Sequence, residues 1–199
     1  MTDIEHSQSD ELKKFAVLTA GTLLQAFVAF ILAAIFGVSL WSMVVGDGAD
    51  VAVGVVATVP LVAALYWFMK VEHGPIAEFR QSQIEFFAET GIRFSWLQIT
   101  ILAAAAGVCE ELLFRGALQS VLGKYMPLIF AIFLANLVFG LLHWRTALYA
   151  AIAFALGLYM SALLFWTGNL TAPIVTHALY DFVAFYFTRR ELASLRRAA

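Results

Sequence analysis

The chain has 199 residues, of which 62% are hydrophobic and 13% are charged, and its formal net charge is −2. Soluble domains carry about 25% charged residues, so this composition excludes a disordered chain and a soluble nucleic-acid-binding protein, and it argues against a soluble enzyme. The single cysteine, Cys109, excludes an internal disulfide and a Cys-based zinc site. The length allows one domain, and the composition predicts an integral membrane protein.

Apolar runs separated by turn residues predict an all-α, polytopic transmembrane bundle of about six spans. The first two are residues 15–45 and 51–69, uncharged runs of 31 and 19 positions, where one span needs about 20. We interpret the first run as a retained span, because it is too long for the apolar core of a signal peptide. The charged residues 70–93 that follow predict a surface helix or loop.

Four further spans are expected in the rest of the chain. Pro173 is expected in the first turn of the last one, where its missing N–H costs little. The four are expected at about residues 94–124, 125–142, 146–166 and 173–187.

The distribution of basic residues predicts an orientation. With the N-terminus inside, ten basic residues lie on the inner side and only Lys124 lies in an outer loop, as the excess of Lys and Arg in cytoplasmic loops requires. The chain then divides into a cytoplasmic segment (1–14), N-terminal spans with the charged connection (15–93), a membrane core (94–187) and a basic C-terminal tail (188–199). The inner ten are Lys13, Lys14, Lys70, Arg80, Arg93, Arg145, Arg189, Arg190, Arg196 and Arg197.

Six ionisable side chains interrupt the predicted spans. Each costs about 2.5–3.5 kcal/mol near the centre of a bilayer, so such residues usually face the bundle interior and act there. Their types are complementary, because they include acids, imidazoles and one guanidinium. They are Glu110, Glu111, Arg115, His143, His177 and Asp181.

Spacing predicts which of these side chains share a helix face. Glu111 and Arg115 are four residues apart and are expected to pair, whereas Glu110 lies about 100° around the helix and remains available as a general base. His177 and Asp181 are also one turn apart. Each feature alone has a structural alternative: a neutralising salt bridge, an interfacial histidine at position 143, or a polar pair that joins two helices.

The chemistry of the set points to hydrolysis of an acyl bond. Glu110, His143 and His177 provide the ligand count of a catalytic zinc site with an open position for water. Without a metal, the same groups could activate water by general base catalysis. Proton-coupled transport is the alternative, since Glu and His chains also relay protons.

Three motifs in this order resemble the CPBP family of intramembrane proteases, which includes the type II CAAX prenyl endopeptidases and Abi members. Glu110, Glu111 and Arg115 match Glu-Glu-x-x-x-Arg, Phe139 and His143 match Phe-x-x-x-His, and the pair His177 and Asp181 matches His-x-x-x-Asn/Asp. The resemblance covers about residues 94–187. The first 93 residues carry no motif and are expected only to anchor the protein in the membrane.

The resemblance implies an endopeptidase of a bacterial inner membrane that cleaves near the C-terminus of a membrane-tethered or lipid-modified substrate. Glu110 with His143 would activate water, and His177 with Asp181 would support the oxyanion. Glu111 and Arg115 would hold the site together. Partners would be the lipid bilayer and a peptide or protein substrate, with no nucleic acid; a divalent metal such as zinc and a metal-free mechanism both remain open.

Asp181 departs from the Asn that many family members have at this position. An ionised Asp only accepts hydrogen bonds, whereas Asn also donates, so Asp181 is either protonated or orients His177. The other functional class is a non-catalytic membrane protein of the same fold, namely a bacteriocin immunity factor, a transporter, or a scaffold that binds partners through residues 70–93.

The predicted spans place the two histidines at different depths. From Leu128 to His143 the chain descends about 23 Å, but from Leu170 to His177 it descends only about 10 Å. We therefore expect the last helix to start deep, or residues 166–173 to dip into the bilayer, around a water-accessible cavity.

Overall fold

A computed structural model describes residues 2–89 and 95–198, with side chains at 9–89, 95–194 and 197. These residues form seven helices and no strand, which confirms the all-α prediction. Arg93 and the predicted start of the third span at residue 94 lie outside the described residues. The helices are α1 (Thr2–Phe36), α2 (Gly48–Lys70), α3 (Pro75–Glu89), α4 (Trp96–Leu122), α5 (Leu128–Leu142), α6 (Ala147–Thr167) and α7 (Thr171–Ala198).

Four of these helices are long and apolar enough to cross a membrane: Ser9–Phe36 within α1, and all of α2, α4 and α6. Helix α5 is apolar but has only 15 residues. Helix α7 carries the ionisable residues of the third motif and continues without a break into the basic tail. The expected number of about six spans is therefore approximate.

The first apolar run, 15–45, holds one candidate span, as expected, but the helix does not fill the run. Helix α1 ends at Phe36, and Gly37 has a φ of 62°, a left-handed conformation that commonly ends helices. The chain then turns into a short 3₁₀ helix at Trp41–Met43. Leu40 is buried, so this segment folds back onto the bundle.

Helix α7 begins in the protein interior, beneath this segment. The N–H of Leu170 donates to the carbonyl of Met43 at 2.6 Å, and Leu170 is fully buried. Gly46 lies directly against Thr171, where a Cβ would overlap the threonine side chain. The first turn of α7 is thus packed inside the bundle, and its depth in the membrane stays a prediction.

Two glycines let α7 pass closely between α2 and α4. A Cβ at Gly54 would lie 2.8 Å from the carbonyl oxygen of Ala172, and one at Gly107 would lie 2.8 Å from the backbone nitrogen of Ala178. Small residues permit such close approach of membrane helices. The crossing brings His177 beside the end of the α-helical part of α4.

Helix α3, in the segment predicted as a surface helix or loop, closes one end of the bundle. It buries Phe79 and Ile84. Arg80 Nη1 donates to the carbonyls of Met69 and Val71 at 2.6 and 2.8 Å, which ties α3 to the end of α2. Arg145 donates to Gln83 at 2.6 Å, which ties α3 to the α5–α6 connection.

Candidate active site

The six predicted ionisable residues come from three helices and converge on one region. Glu110 and Glu111 end the α-helical part of α4, and Arg115 lies in the π-helical stretch Leu112–Gln119 that follows. His143 caps the C-terminal end of α5, and the third motif lies on α7. A cavity of about 530 Å³ is lined by all of them except Glu111. A cavity beside the site residues was predicted and is present, whereas residues 166–173, around which it was expected, do not line it.

Glu111 does not line the cavity, but its carboxylate contacts two residues that do, Arg115 and His177. Its Oε1 atom accepts from Arg115 Nη1 at 3.0 Å and lies 2.7 Å from His177 Nδ1. The Glu111 side chain is 0% exposed. The Glu111–Arg115 pair predicted from spacing is confirmed, whereas the contact with His177 was not predicted. A π-helical turn beginning at the next residue agrees with the frequent occurrence of such turns at functional sites.

His177 is oriented by Glu111 through Nδ1, which leaves Nε2 directed at the cavity-side carboxylates. Nε2 lies 3.8 Å from Glu110 Oε2 and 3.6 Å from Asp181 Oδ2. A hydrogen bond at one ring nitrogen determines what the other nitrogen can do. Since Glu111 makes the short contact, Asp181 is not the residue that orients this ring.

Glu110 lies on the cavity wall in a different environment from its neighbour Glu111. Its side chain is 13% exposed, and Oε1 lies 3.5 Å from Nε2 of Gln25 on α1. The guanidinium of Arg115 bonds to Glu111, and the ion-pair contact that the structure gives Glu110 is the longer one, 3.8 Å, between its Oε2 and His177 Nε2. Gln25 contacts the site, and side chains of α2 and α3 line the cavity. The expectation that the first 93 residues only anchor the protein is therefore wrong.

His143 is held by the first residue of its own motif. Its Nδ1 lies 2.8 Å from the carbonyl oxygen of Phe139, and the two rings are 4.5 Å apart between centroids. The buried Phe139 ring also meets His177, at 6.4 Å, and lies 4.6 Å from Arg115 Cζ. Phe139 is thus the common contact of the two histidines, and the second ring nitrogen of His143 is the one left to act on a ligand.

The geometry does not fit the metal set Glu110, His143 and His177 allowed by the sequence. Among the residues that the structure describes, no group of three or more His, Cys, Asp or Glu side chains is arranged to hold a metal ion.

Four further polar residues contact the site or its ion pair, and the sequence did not identify them because their side chains are not ionisable. Gln25 contacts Glu110, and Asn136 accepts from Arg115 at 3.1 Å. Ser161 and Gln119 extend the contacts of Asn136. A weaker signal was present, because Asn136 is the one amide in the otherwise apolar sequence of α5.

Comparison with known proteins agrees with the motifs. Residues 92–183 match the model of the family described as type II CAAX prenyl endopeptidase Rce1-like. The uncharacterized protein YpbD of Bacillus subtilis (strain 168) is 37% identical over 92 residues, which are 43% of this chain and 41% of that protein. The matched part of the chain thus spans less than half the length of this relative. No solved structure matches significantly. The resemblance inferred from the three motifs is confirmed over residues 92–183.

Proposed function

We propose that this Rce1-like membrane protein is an endopeptidase in which Glu110 activates water to hydrolyse a peptide bond near the C-terminus of a membrane-tethered or lipid-modified substrate. One observation carries the proposal: two consecutive carboxylates have different surroundings. Glu111 is fully buried and paired with Arg115 at 3.0 Å, whereas Glu110 lines the cavity and lies at the longer distance of 3.8 Å from His177 Nε2. One carboxylate is thus committed to structure, and the other is available to transfer protons.

The first step is attack of water on the substrate carbonyl. Glu110 takes a proton from the water while the water oxygen bonds to the carbonyl carbon of the substrate. The π electrons of the carbonyl group move to the carbonyl oxygen, which becomes the oxyanion. His143, anchored through Nδ1 on the Phe139 carbonyl, offers its other nitrogen as a second partner for the water. The proton on Glu110 then passes to the amide nitrogen as the C–N bond breaks.

His177 supports the oxyanion in this scheme. With both ring nitrogens protonated, Nδ1–H donates to Glu111 and Nε2–H is directed at the cavity. The 3.6 Å separation from Asp181 is longer than a hydrogen bond, so Nε2–H remains available to the developing negative charge. Asp181 supplies a second carboxylate that stabilises the imidazolium.

The membrane setting of the proposal follows from the ends of the helices. Exposed tryptophans mark both ends of the bundle, with Trp67, Trp96 and Trp144 at one end and Trp41 and Trp166 at the other. Tryptophan is enriched at both membrane–water interfaces. The first end also carries Arg145 and α3, whereas the second carries Lys124, which donates to the last carbonyls of α1. This distribution supports cytoplasmic termini and a cavity on the cytoplasmic side.

The walls of the cavity support a hydrophobic substrate. Apart from the catalytic cluster, the lining consists mainly of aliphatic and aromatic side chains, including Leu61, Leu65 and Phe68 of α2 and Ile76 and Phe79 of α3. Sites for hydrophobic ligands are lined in this way, with a few polar groups that fix orientation. A prenylated peptide is the first probe, because the matched family is described as a prenyl endopeptidase.

The test uses purified protein in liposomes and a fluorogenic farnesylated peptide ending in Cys-aliphatic-aliphatic-X, with the unprenylated, acyl-tethered peptide alongside. We expect hydrolysis by the wild type, none by Glu110→Gln or His143→Ala, and normal hydrolysis by the control Glu72→Gln, whose carboxylate is exposed outside the cavity. Undiminished hydrolysis by Glu110→Gln would contradict the proposal. Ion flux without hydrolysis of any peptide would favour the transporter.

A chelator arm belongs to the same assay. Because the described residues form no metal-holding group, prolonged treatment with EDTA should leave the rate unchanged. Loss of activity on chelation that is restored by zinc would show that the reaction depends on a metal.

A further inference from the structure

A chain of buried hydrogen bonds leads from the candidate active site into the neighbouring helices. Arg115 Nη2 donates to Asn136 Oδ1 at 3.1 Å, Asn136 Nδ2 donates to Ser161 Oγ at 2.8 Å, and Ser161 Oγ donates to Gln119 Oε1 at 2.8 Å. None of the four side chains is more than 6% exposed. The chain joins the π-helical stretch of α4 to α5 and α6.

This chain determines the position of the Arg115 guanidinium. One Nη atom is held by Asn136 and the other by Glu111, so two fixed acceptors orient the planar group. Glu111 in turn contacts His177 Nδ1 at 2.7 Å through the same Oε1 atom that accepts from Arg115. A displacement of the guanidinium therefore moves the acceptor on which the His177 ring depends.

A glycine of α6, Gly157, leaves the space that these hydrogen bonds occupy. Gly157 lies where a side chain would collide with the chain: a Cβ at this position would overlap Asn136 Oδ1 and lie 2.8 Å from Arg115 Nη2. The absence of a side chain at residue 157 lets α6 supply Ser161 to Asn136 while leaving room for the guanidinium.

We propose that Asn136, supported by Ser161 and Gln119, is a positioning residue that fixes the orientation of His177 through Arg115 and Glu111. The proposal rests on the proposed function for its catalytic consequence, but the orientation of His177 can be measured independently. A misplacement of about 1 Å at a reacting group can cost on the order of 10²-fold in rate. Small shifts of the guanidinium are thus sufficient to lower turnover.

Two variants break this series of hydrogen bonds at different points. Asn136→Asp keeps an oxygen near Arg115 but loses the donor to Ser161, and its charge competes with Glu111 for the guanidinium. Ser161→Ala removes the partner of Asn136 and leaves Arg115 and Glu111 chemically intact. The matched control is Thr58→Val, which deletes a buried hydroxyl that donates to the carbonyl of Gly54 on its own helix, a carbonyl that keeps its bond from Thr176.

The experiment combines kinetics with the farnesylated probe peptide and ¹⁵N NMR of histidine-labelled protein. The chain contains four histidines, and the spectrum of His177→Gln identifies the His177 signals. We expect Asn136→Asp and Ser161→Ala to lower kcat by about tenfold or more with little change in KM, and to shift the His177 Nδ1 resonance. Thr58→Val should change neither quantity, and thermal unfolding verifies that all variants are folded.

The outcomes separate this proposal from the proposed function. An unchanged His177 resonance in both folded variants overturns the positioning role, whether or not the wild type hydrolyses peptides. An equal loss of kcat in Thr58→Val also overturns it, because the effect would then be a general consequence of removing a buried hydroxyl. If the two variants shift the His177 resonance but the wild type hydrolyses no peptide, the positioning role is supported and the endopeptidase proposal is contradicted.

Discussion

His177 Nδ1 lies 2.7 Å from Oε1 of Glu111, a carboxylate with no exposed surface. This contact joins the first motif to the third across 66 residues of sequence. It also divides the labour of the adjacent glutamates, because Glu111 orients the imidazole while Glu110 lies on the wall of the cavity.

This division predicts that replacing either glutamate lowers activity but that only replacing Glu111 lowers stability strongly. Glu111→Gln leaves Arg115 as a buried charge without its carboxylate and should lower stability by about 3 kcal/mol or more, together with activity. Glu110→Gln should abolish hydrolysis with little loss of stability, since its contact with His177 Nε2 is long, at 3.8 Å, and Glu111 keeps its short contact with this ring. Thermal unfolding in detergent and the liposome assay check both. Equal destabilisation by the two variants would contradict the assignment.

Asp181→Asn should retain hydrolysis within about tenfold of the wild type. The amide oxygen still faces His177 Nε2, and the new amide donor can reach the oxyanion, so the change is worth about one hydrogen bond. Asp181→Leu, which offers neither group, is the comparison and should lose more. An inactive but folded Asp181→Asn would mean that the ionised carboxylate itself is required.

The contact between Gln25 and Glu110 predicts that α1 takes part in the reaction. Gln25→Leu removes a weak, 3.5 Å contact and should lower kcat only a few-fold. Gln25→Glu places a like charge beside Glu110, the proposed general base, in surroundings where charges interact by several kcal/mol, and should lower kcat by more than about tenfold. The steady-state rates of the two variants decide this, and identical rates would remove Gln25 from the site.

Gly107→Ala should separate α7 from α4. Its Cβ would meet the backbone of α7 at 2.8 Å, and overpacking of this kind costs about 1–3 kcal/mol. The displacement should also weaken the Glu111–His177 contact and reduce hydrolysis. The control is Gly21→Ala, whose Cβ meets no atom within 4 Å and which should be neutral or slightly stabilising. Unfolding temperatures of the pair test this, and no difference between them would argue against a tight crossing.

The helical architecture and the six ionisable site residues were predictable from the sequence because both depend on local patterns. Uncharged runs identify α2 and α6 almost to their ends, and charges within apolar runs identify residues that meet at the cavity, five of the six lining it. The burial cost of a charge makes this signal reliable.

Features that depend on distant contacts were not predictable. The end of α1 at Phe36 is accompanied by packing of the following segment onto Leu170, and no pattern within residues 15–45 records that contact. The Glu111–His177 contact depends on the crossing of α4 and α7. Gln25 and Asn136 are a different case. Their side chains carry no charge, so the pattern of charges within the apolar runs does not mark them.

The most direct test of the account is single-turnover hydrolysis of the farnesylated peptide in H₂¹⁸O by the wild type and by Glu110→Gln. If Glu110 activates water, the wild-type product carries one ¹⁸O atom in its new carboxylate, and the folded variant forms no product on the same timescale. Product formation by Glu110→Gln at the wild-type rate would contradict the assignment of Glu110 as the base that activates water.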